Sequence, residues 1–248
     1  MATPNPLILK LQQSGILLDE DHPILAGLCE SPRTVPADTI LVQQGEKPSG
    51  VHLILGGFAC RSKLLPGGEW QILSLLLPGD FCDIHAAALG RSDHFTTTLT
   101  DCAVVRLSHE AVGELTLTDT RIARALWWSR LVDERILRAW LTSMGQRRAD
   151  EWLAHFCCEL LLRLQVVGCA EADACEMPLT QDQLGHLLGI TDVHVSRVLR
   201  ELRDRDLLEL KNRRLSVPDV ERLRAFCGFD PDYLHFLGGR PAASARVA

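Results

Sequence analysis

The spacing of apolar positions changes three times along the chain. Residues 1–34 carry Leu7, Leu11, Ile24, Leu25 and Leu28 at spacings that suit a short helical lead-in. From Val35 to Leu107 the runs TILVQQG, GVHLILGGFACRSKLL, EWQILSLLLPGD and FTTTLTDCAVVRL read as short strands divided by turns such as Pro66-Gly67-Gly68. Several such strands at short intervals predict a small β barrel or roll. Asp119 to Met144 is then the longest stretch of helical texture. Ile122, Leu126, Val132, Ile136 and Trp140 form one seam, with Trp127, Trp128, Leu131, Leu137 and Leu141 outside it. A helix apolar on two faces needs two partners, and the expectation is its own β domain on one and a second subunit on the other. The five-residue seam is assigned to the dimer contact. Gly145 to Arg148 breaks the pattern as a hinge, Trp152 to Leu164 resumes it, and VVGCAEADACEMP reads as a loop.

The next segment, QDQLGHLLGITDVHVSRVLRELRDRD from Gln181 to Asp206, predicts two short helices at a tight turn. Leu184, Leu187 and Leu188 share a side of the first helix, while Val195, Val198, Leu199 and Leu202 share a side of the second. Thr180 and Gln183 are spaced for a reciprocal cap, Thr191 caps the second helix, Gly185 permits close approach, and Gly189 can take the positive φ that ends a helix. Val193, Ser196, Arg197 and Arg200 are left pointing outward. That set suits a DNA major groove: arginine offers paired donors to guanine, serine bonds bases or phosphates, and an exposed valine meets a thymine methyl. LLELKNRRLSV follows as a two-stranded wing turning at Asn212-Arg213. Thr180, Thr191, His194, Lys211, Arg213 and Arg214 are the expected phosphate contacts. Residues 221–248 begin as a helix and end in a small, polar tail.

Composition narrows the picture. With 248 residues and 46% hydrophobic content, the chain can bury two cores. It has no apolar run long enough for a membrane span and no signal-peptide pattern at its start, so a cytoplasmic location is expected. Nine cysteines without CxxC pairs are expected to be mainly reduced, and adjacent Cys157 and Cys158 are core residues rather than a disulfide. The net charge of −6 argues against a nonspecific nucleic-acid coat. Yet residues 194–214 hold seven basic and four acidic side chains, a local +3 against −9 elsewhere. No nucleophile elbow, HExxH, P-loop or paired-carboxylate motif is present, so no enzyme is expected.

QQGEKPSGVHLILGGFACR, LLPGDFCD and LTQDQLGHLLGITDVHVSRVLRELRDRDLLEL together resemble the Crp/Fnr family of bacterial transcription regulators over roughly residues 25–220. The resemblance implies an α+β chain. Its parts are a β-roll sensor domain (double-stranded β-helix or jelly-roll-like) in residues 1–118, a dimerisation helix and hinge in 119–146, a winged helix-turn-helix in 147–220, and a C-terminal helix and tail in 221–248. It also implies a homodimer on a two-fold related site of double-stranded DNA, in contact with RNA polymerase, and away from the membrane.

The sequence departs from the family at the signal site. Relatives that bind cyclic AMP carry Gly-Glu after the Gly-Asp-Phe turn and Arg-Ser or Arg-Thr further on; here Asp83-Ile84 and His94-Phe95 stand there, with Arg91 nearby. A cyclic phosphate would meet Asp83 instead of a bidentate donor, so cyclic nucleotide is not expected. Cys29 stands alone where iron-sulfur relatives cluster cysteines, so that cofactor is not expected either. Cys82 and His85 resemble, at a spacing one residue different, the cysteine and histidine of the family's haem-binding carbon-monoxide sensor. Haem and a redox-responsive thiol stay open, and Cys82, Asp83, His85, Arg91 and His94 form the candidate effector pocket. Val193 replaces a glutamate common among relatives, while Ser196 and Arg197 match; preference at the neighbouring base should shift, with thymine the candidate. The competing expectation is a haem or redox sensor module whose winged helix serves protein contacts.

Overall fold

The computed structural model describes residues 5–82 and 90–236. Asn5 caps α1 (Pro6–Gln12), its Oδ1 accepting from Leu7 N at 3.0 Å, and a 3-10 turn leads into α2 (His22–Gly27). Leu7, Leu11 and Leu25 are buried as the lead-in pattern requires, but Ile24 is exposed because the short α2 presents only one face inward.

The strands then follow: β1 (Arg33–Val35), β2 (Ile40–Val42), β3 (Val51–Gly56), β4 (Ala59–Leu64), β5 (Trp70–Leu76), β6 (Phe81–Cys82), β7 (Phe95–Thr98) and β8 (Cys102–Leu107). They form two four-stranded antiparallel sheets in the orders β1-β8-β3-β6 and β2-β7-β4-β5. Consecutive strands β3 and β4 lie in different sheets, which makes the unit a roll rather than a meander. Ile54, Ala59, Leu76, Cys82, Cys102 and Val104 fill the space between.

Ser108 caps α3 (His109–Thr118), and Asp119 caps the long α4 (Thr120–Gln146), accepting from Ile122 N at 2.9 Å. Arg121 grips buried Asp21 through Nε at 3.1 and 3.0 Å and through a terminal nitrogen at 2.8 Å, fixing the start of α4 against α2. That guanidinium holds the Asp21 carboxyl below its ordinary pKa. The helix continues through Gly145 and ends at Arg147, whose extended backbone (φ −87°, ψ 149°) precedes Arg148. The break thus falls at Arg147-Arg148, at the end of the Gly145–Arg148 interruption.

The remainder comprises α5 (Ala149–Val166), β9 (Ala174–Glu176), α6 (Gln181–Leu188), α7 (Asp192–Asp204), β10 (Glu209–Lys211), β11 (Arg214–Ser216), α8 (Val220–Cys227) and a 3-10 turn over Pro231–Leu234. The segment read as a loop holds β9, which pairs with β11 and makes the wing three-stranded. One apolar cluster runs without interruption from Phe58, Ile72 and Leu75 of the roll, through Val132, Ile136 and Trp140 of α4, into α5–α8.

That continuity corrects the assignment of the α4 seam. Ile122 and Leu126 pack with α1, α2 and β8, and Val132, Ile136 and Trp140 pack with α5 and the roll; none of the five is more than 5% exposed. They are core of their own chain. The exposed apolar positions are instead Trp127 at 61%, Leu131, Leu137, Leu141 at 73%, and Met144. Periodicity finds both faces of such a helix, and burial distinguishes them.

Candidate nucleic-acid interface and signal site

The two helices of the turn are built as their caps dictate. Thr180 Oγ1 accepts from Gln183 N at 3.1 Å while Gln183 Oε1 accepts from Thr180 N at 2.9 Å. Gly189 adopts φ 72°, ψ 33° and donates its N–H to the Gly185 carbonyl at 2.8 Å. A Cβ at Gly185 would lie 2.7 Å from the Ile190 carbonyl oxygen, so only glycine fits where the chain crosses that helix. Thr191 Oγ1 accepts from His194 N at 3.3 Å and starts α7.

Val195, Val198 and Leu202 are buried, and Leu199 is half-buried against the same core. The opposite face carries Val193, 75% exposed, with Arg197 and Arg200 exposed and Ser196 half-buried between them. Glu201 lies 3.9 Å from Arg197 Nε, a contact too loose and solvated to hold the guanidinium away from a ligand. All four predicted base-reading side chains therefore share one outer face.

The phosphate candidates border that face. Thr180 and Thr191 are exposed at the two helix starts and His194 is half-buried one residue after Val193. The wing turns at Asn212 (φ 52°) and Arg213 (φ 60°), both left-handed as a two-residue hairpin of this hand requires, with Lys211 opposite Arg214. Lys211 and Arg213 are exposed. Arg214 is also exposed but already engaged: its terminal nitrogen sits 2.7 Å from Glu171 Oε1, which raises the guanidinium pKa. Glu171 precedes β9, so this partner was hidden with that strand.

Three of the five effector candidates, Cys82, Arg91 and His94, are among the described residues. Asp83 and His85 lie outside the described residues. Arg91 is exposed and donates to the Gly45 carbonyl at 2.9 Å, on the surface of the roll. The His94 ring meets Asp93 Oδ1 at 2.8 Å, and the imidazole holds the Asp93 carboxyl below its ordinary pKa. Cys82 is 0% exposed within the inter-sheet cluster. A sulfur packed there has no open face for the iron of a planar macrocycle, so Cys82 does not fit a haem ligand. Arg61, unnoticed in the sequence, is half-buried and donates to Ser74 Oγ at 3.3 Å and the Phe81 carbonyl at 2.8 Å, tying β4, β5 and β6 together.

Sequence patterns also missed a buried chain of charges where the roll meets α5. Lys10 Nζ lies 2.5 Å from Asp80 Oδ1, in the Gly79-Asp80-Phe81 turn; Arg163 of α5 lies 3.0 Å from Asp80 Oδ2 and donates to the Leu75 carbonyl at 3.1 Å. Arg163 also reaches Glu159 at 3.2 Å, and Glu159 accepts from Trp140 Nε1 at 3.0 Å and Tyr233 Oη at 2.7 Å. Burial would raise the Asp80 pKa, but Lys10 and Arg163 outweigh it and hold the carboxyl ionised. For Glu159 burial wins and its pKa is raised. On the outer side, Gln71 Nε2 of β5 donates to the Leu187 carbonyl at 3.3 Å, so α6 rests on the roll.

With this geometry in view, residues 32–119 match the family model of the cyclic nucleotide-binding domain, and residues 157–226 match that of the Crp-like helix-turn-helix domain. The transcriptional activator protein FnrL of Cereibacter sphaeroides is 25% identical over 218 residues, covering 84% of this chain and 83% of its own length. The nitrogen fixation regulation protein FixK of Azorhizobium caulinodans is 24% identical over 176 residues, covering 70% of each. The structure of FixK2 from Bradyrhizobium japonicum superposes with a TM-score of 0.70 at 24% identity, over 79% of this chain and 96% of that one. A cyclic nucleotide-binding-type β domain, a long helix and a Crp-like helix-turn-helix in this order are the parts of a transcription regulator. The chain belongs to the Crp/Fnr family.

Proposed function

We propose that the protein is a dimeric, sequence-specific regulator of transcription, with residues 1–118 as sensor domain, 119–146 as dimerisation helix and hinge, and 147–220 as DNA-binding domain. The observation that carries the reading is the outer face of α7, where Val193, Ser196, Arg197 and Arg200 stand together in front of a buried Val195, Val198 and Leu202. Arg197 pairs with guanine, Val193 meets a thymine methyl, and Thr180, Thr191, His194, Lys211 and Arg213 hold phosphates, with Arg214 joining once Glu171 is displaced. The exposed stripe from Trp127 to Met144 supports a two-fold partner along α4, which would place two recognition helices on half-sites about one DNA turn apart. The FnrL relative's description as a transcriptional activator supports contact with RNA polymerase and a cytoplasmic site of action. Among the described residues, no helix is long and apolar enough to cross a membrane.

The signal enters at the roll and is not a cyclic nucleotide, because His94-Phe95 replaces the arginine pair and Arg91 is spent on the Gly45 carbonyl. It reaches α5 through Asp80 and Arg163, which join the turn after β5 to the DNA-binding domain.

The test is selection of bound duplexes from a randomised pool, followed by titration of the selected site with base substitutions. Arg197→Ala should cost about 1–3 kcal/mol at one base position in each half-site and relax specificity there. Equal weakening on every sequence would assign Arg197 to phosphate, and failure to enrich any sequence would overturn the proposal.

A further inference from the structure

Two of the nine cysteines touch each other in a place that the DNA-binding reading leaves unused. Cys158 of α5 and Cys227, the last residue of α8, have their sulfurs 4.0 Å apart, and the side chains are 3% and 5% exposed. They are 69 positions apart in sequence, and every residue assigned to DNA lies between them. Neighbouring groups treat the two sulfurs differently. Either sulfur can donate to the other, and Cys227 Sγ also donates to the Leu223 carbonyl at 3.1 Å; the contact with Cys158, with Arg147 nearby, holds the Cys227 pKa below its ordinary value, and the same contact and burial push Cys158 up. Cys227 is also tied to the end of α4, since its carbonyl accepts from Arg147 Nε at 3.3 Å. Arg147 is the residue at which the long helix stops.

We propose that Cys158 and Cys227 form a reversible intrachain disulfide on exposure to a hydroperoxide, and that this crosslink changes DNA affinity by moving Arg147 at the break between α4 and α5. The Cys227 thiolate attacks the terminal peroxide oxygen, the O–O bond breaks, and the alcohol, or water from hydrogen peroxide, leaves with a proton. Cys227 is then a sulfenic acid. The Cys158 sulfur attacks it, the S–O bond breaks, water leaves carrying the Cys158 proton, and the S–S bond forms. Two thiols lose two electrons and the peroxide gains them. A disulfide has sulfurs about 2.05 Å apart, so the pair must close by about 2 Å. That movement draws the C-terminal end of α8 toward α5, and the Cys227 carbonyl carries Arg147 with it. The crosslink rests on the geometry of the pair alone, whereas its effect on DNA rests on the function proposed above.

The experiment uses the full chain with Cys157→Ser, so that a peptide crosslinked through α5 has one assignable sulfur. Reduced protein is treated with hydrogen peroxide, alkylated, digested and mapped by mass spectrometry. The expected product joins Cys158 to Cys227, disappears in Cys227→Ser and equally in Cys158→Ala, and is reversed by dithiothreitol. Affinity for the duplex selected above should differ about fivefold or more between reduced and oxidised protein, and by nothing when either cysteine is replaced. Oxidation of exposed Cys169 while Cys158 and Cys227 remain alkylatable, or pairing of either with another cysteine, would overturn the disulfide. A crosslink that leaves affinity unchanged would overturn its control of DNA binding. Loss of DNA binding by the reduced protein would instead count against the proposed function, and the mapping would still decide the pair.

Discussion

His155 shows how much one buried ring can set. It is 2% exposed, stacked on Tyr233 at 5.8 Å and edge-on to Phe229 at 5.0 Å, with no hydrogen-bond partner at Nδ1. Burial, helped by Arg147, lowers its pKa from 6.5 to about 4. Between those values the unfolded chain takes up a proton that the folded chain refuses, so stability falls as the pH drops from 6.5 to 4. The loss is on the order of 3 kcal/mol by the low end of that window. His155→Phe keeps the aromatic contacts without the titration and should flatten this limb, read from urea midpoints between neutral pH and pH 4.5. An unchanged slope would show that other groups set the acid response. Nothing in the local sequence marks His155 as special, because its neighbours on the ring come from the C-terminal turn. Val193 and Arg197, by contrast, were legible at once: their outward direction follows from helical spacing and needs no distant contact.

Among the elements, α5 does the joining, and here sequence reasoning reached least far. Arg163 serves Asp80 and Glu159 together, and those partners lie 83 and 4 positions away. Only the four-residue spacing leaves a trace in the sequence. Arg163→Met should cost about 3–5 kcal/mol, since it leaves Asp80 with Lys10 as its one remaining cationic partner and takes the buried cation from Glu159. Asp80→Asn added to it should cost less than the separate effects combined, because the two side chains bond each other directly and that contact can be lost only once. A double-mutant cycle by urea denaturation checks this, and additive effects would mean the two residues are not coupled. The same distinction explains the other elements. The caps of α6 and α7 and the Asn212-Arg213 turn are short-range chemistry and were read correctly. β9 is three residues long and exists through its pairing with β11, so it read as loop. The interruption read over Gly145 to Arg148 narrows to the pair of arginines at its end, where the helix stops.

For the molecule as a whole, the proposed dimer turns on the long helix. Its inward face is committed to the roll and α5, and Trp127, Leu131 and Leu141 are exposed on the other side, where the proposed second chain would pack. Trp127→Glu with Leu141→Glu should reduce the sedimenting species from twice the chain mass to the chain mass and weaken binding to a two-fold site while leaving the fold intact by circular dichroism. A dimer that survives both changes would put the contact elsewhere. The sequence showed that α4 has two apolar faces but not which one faces its own chain, since that depends on where the roll and α5 land. The pairing of Arg214 with Glu171 also has an effect on how ionic strength acts. A free arginine that meets a phosphate releases a condensed counterion from the DNA, and affinity falls with added salt accordingly. Arg214 must first give up an internal carboxylate, so salt weakens the old partnership along with the new one. On the proposed function, each chain would hold DNA with one more cationic contact than its salt sensitivity registers.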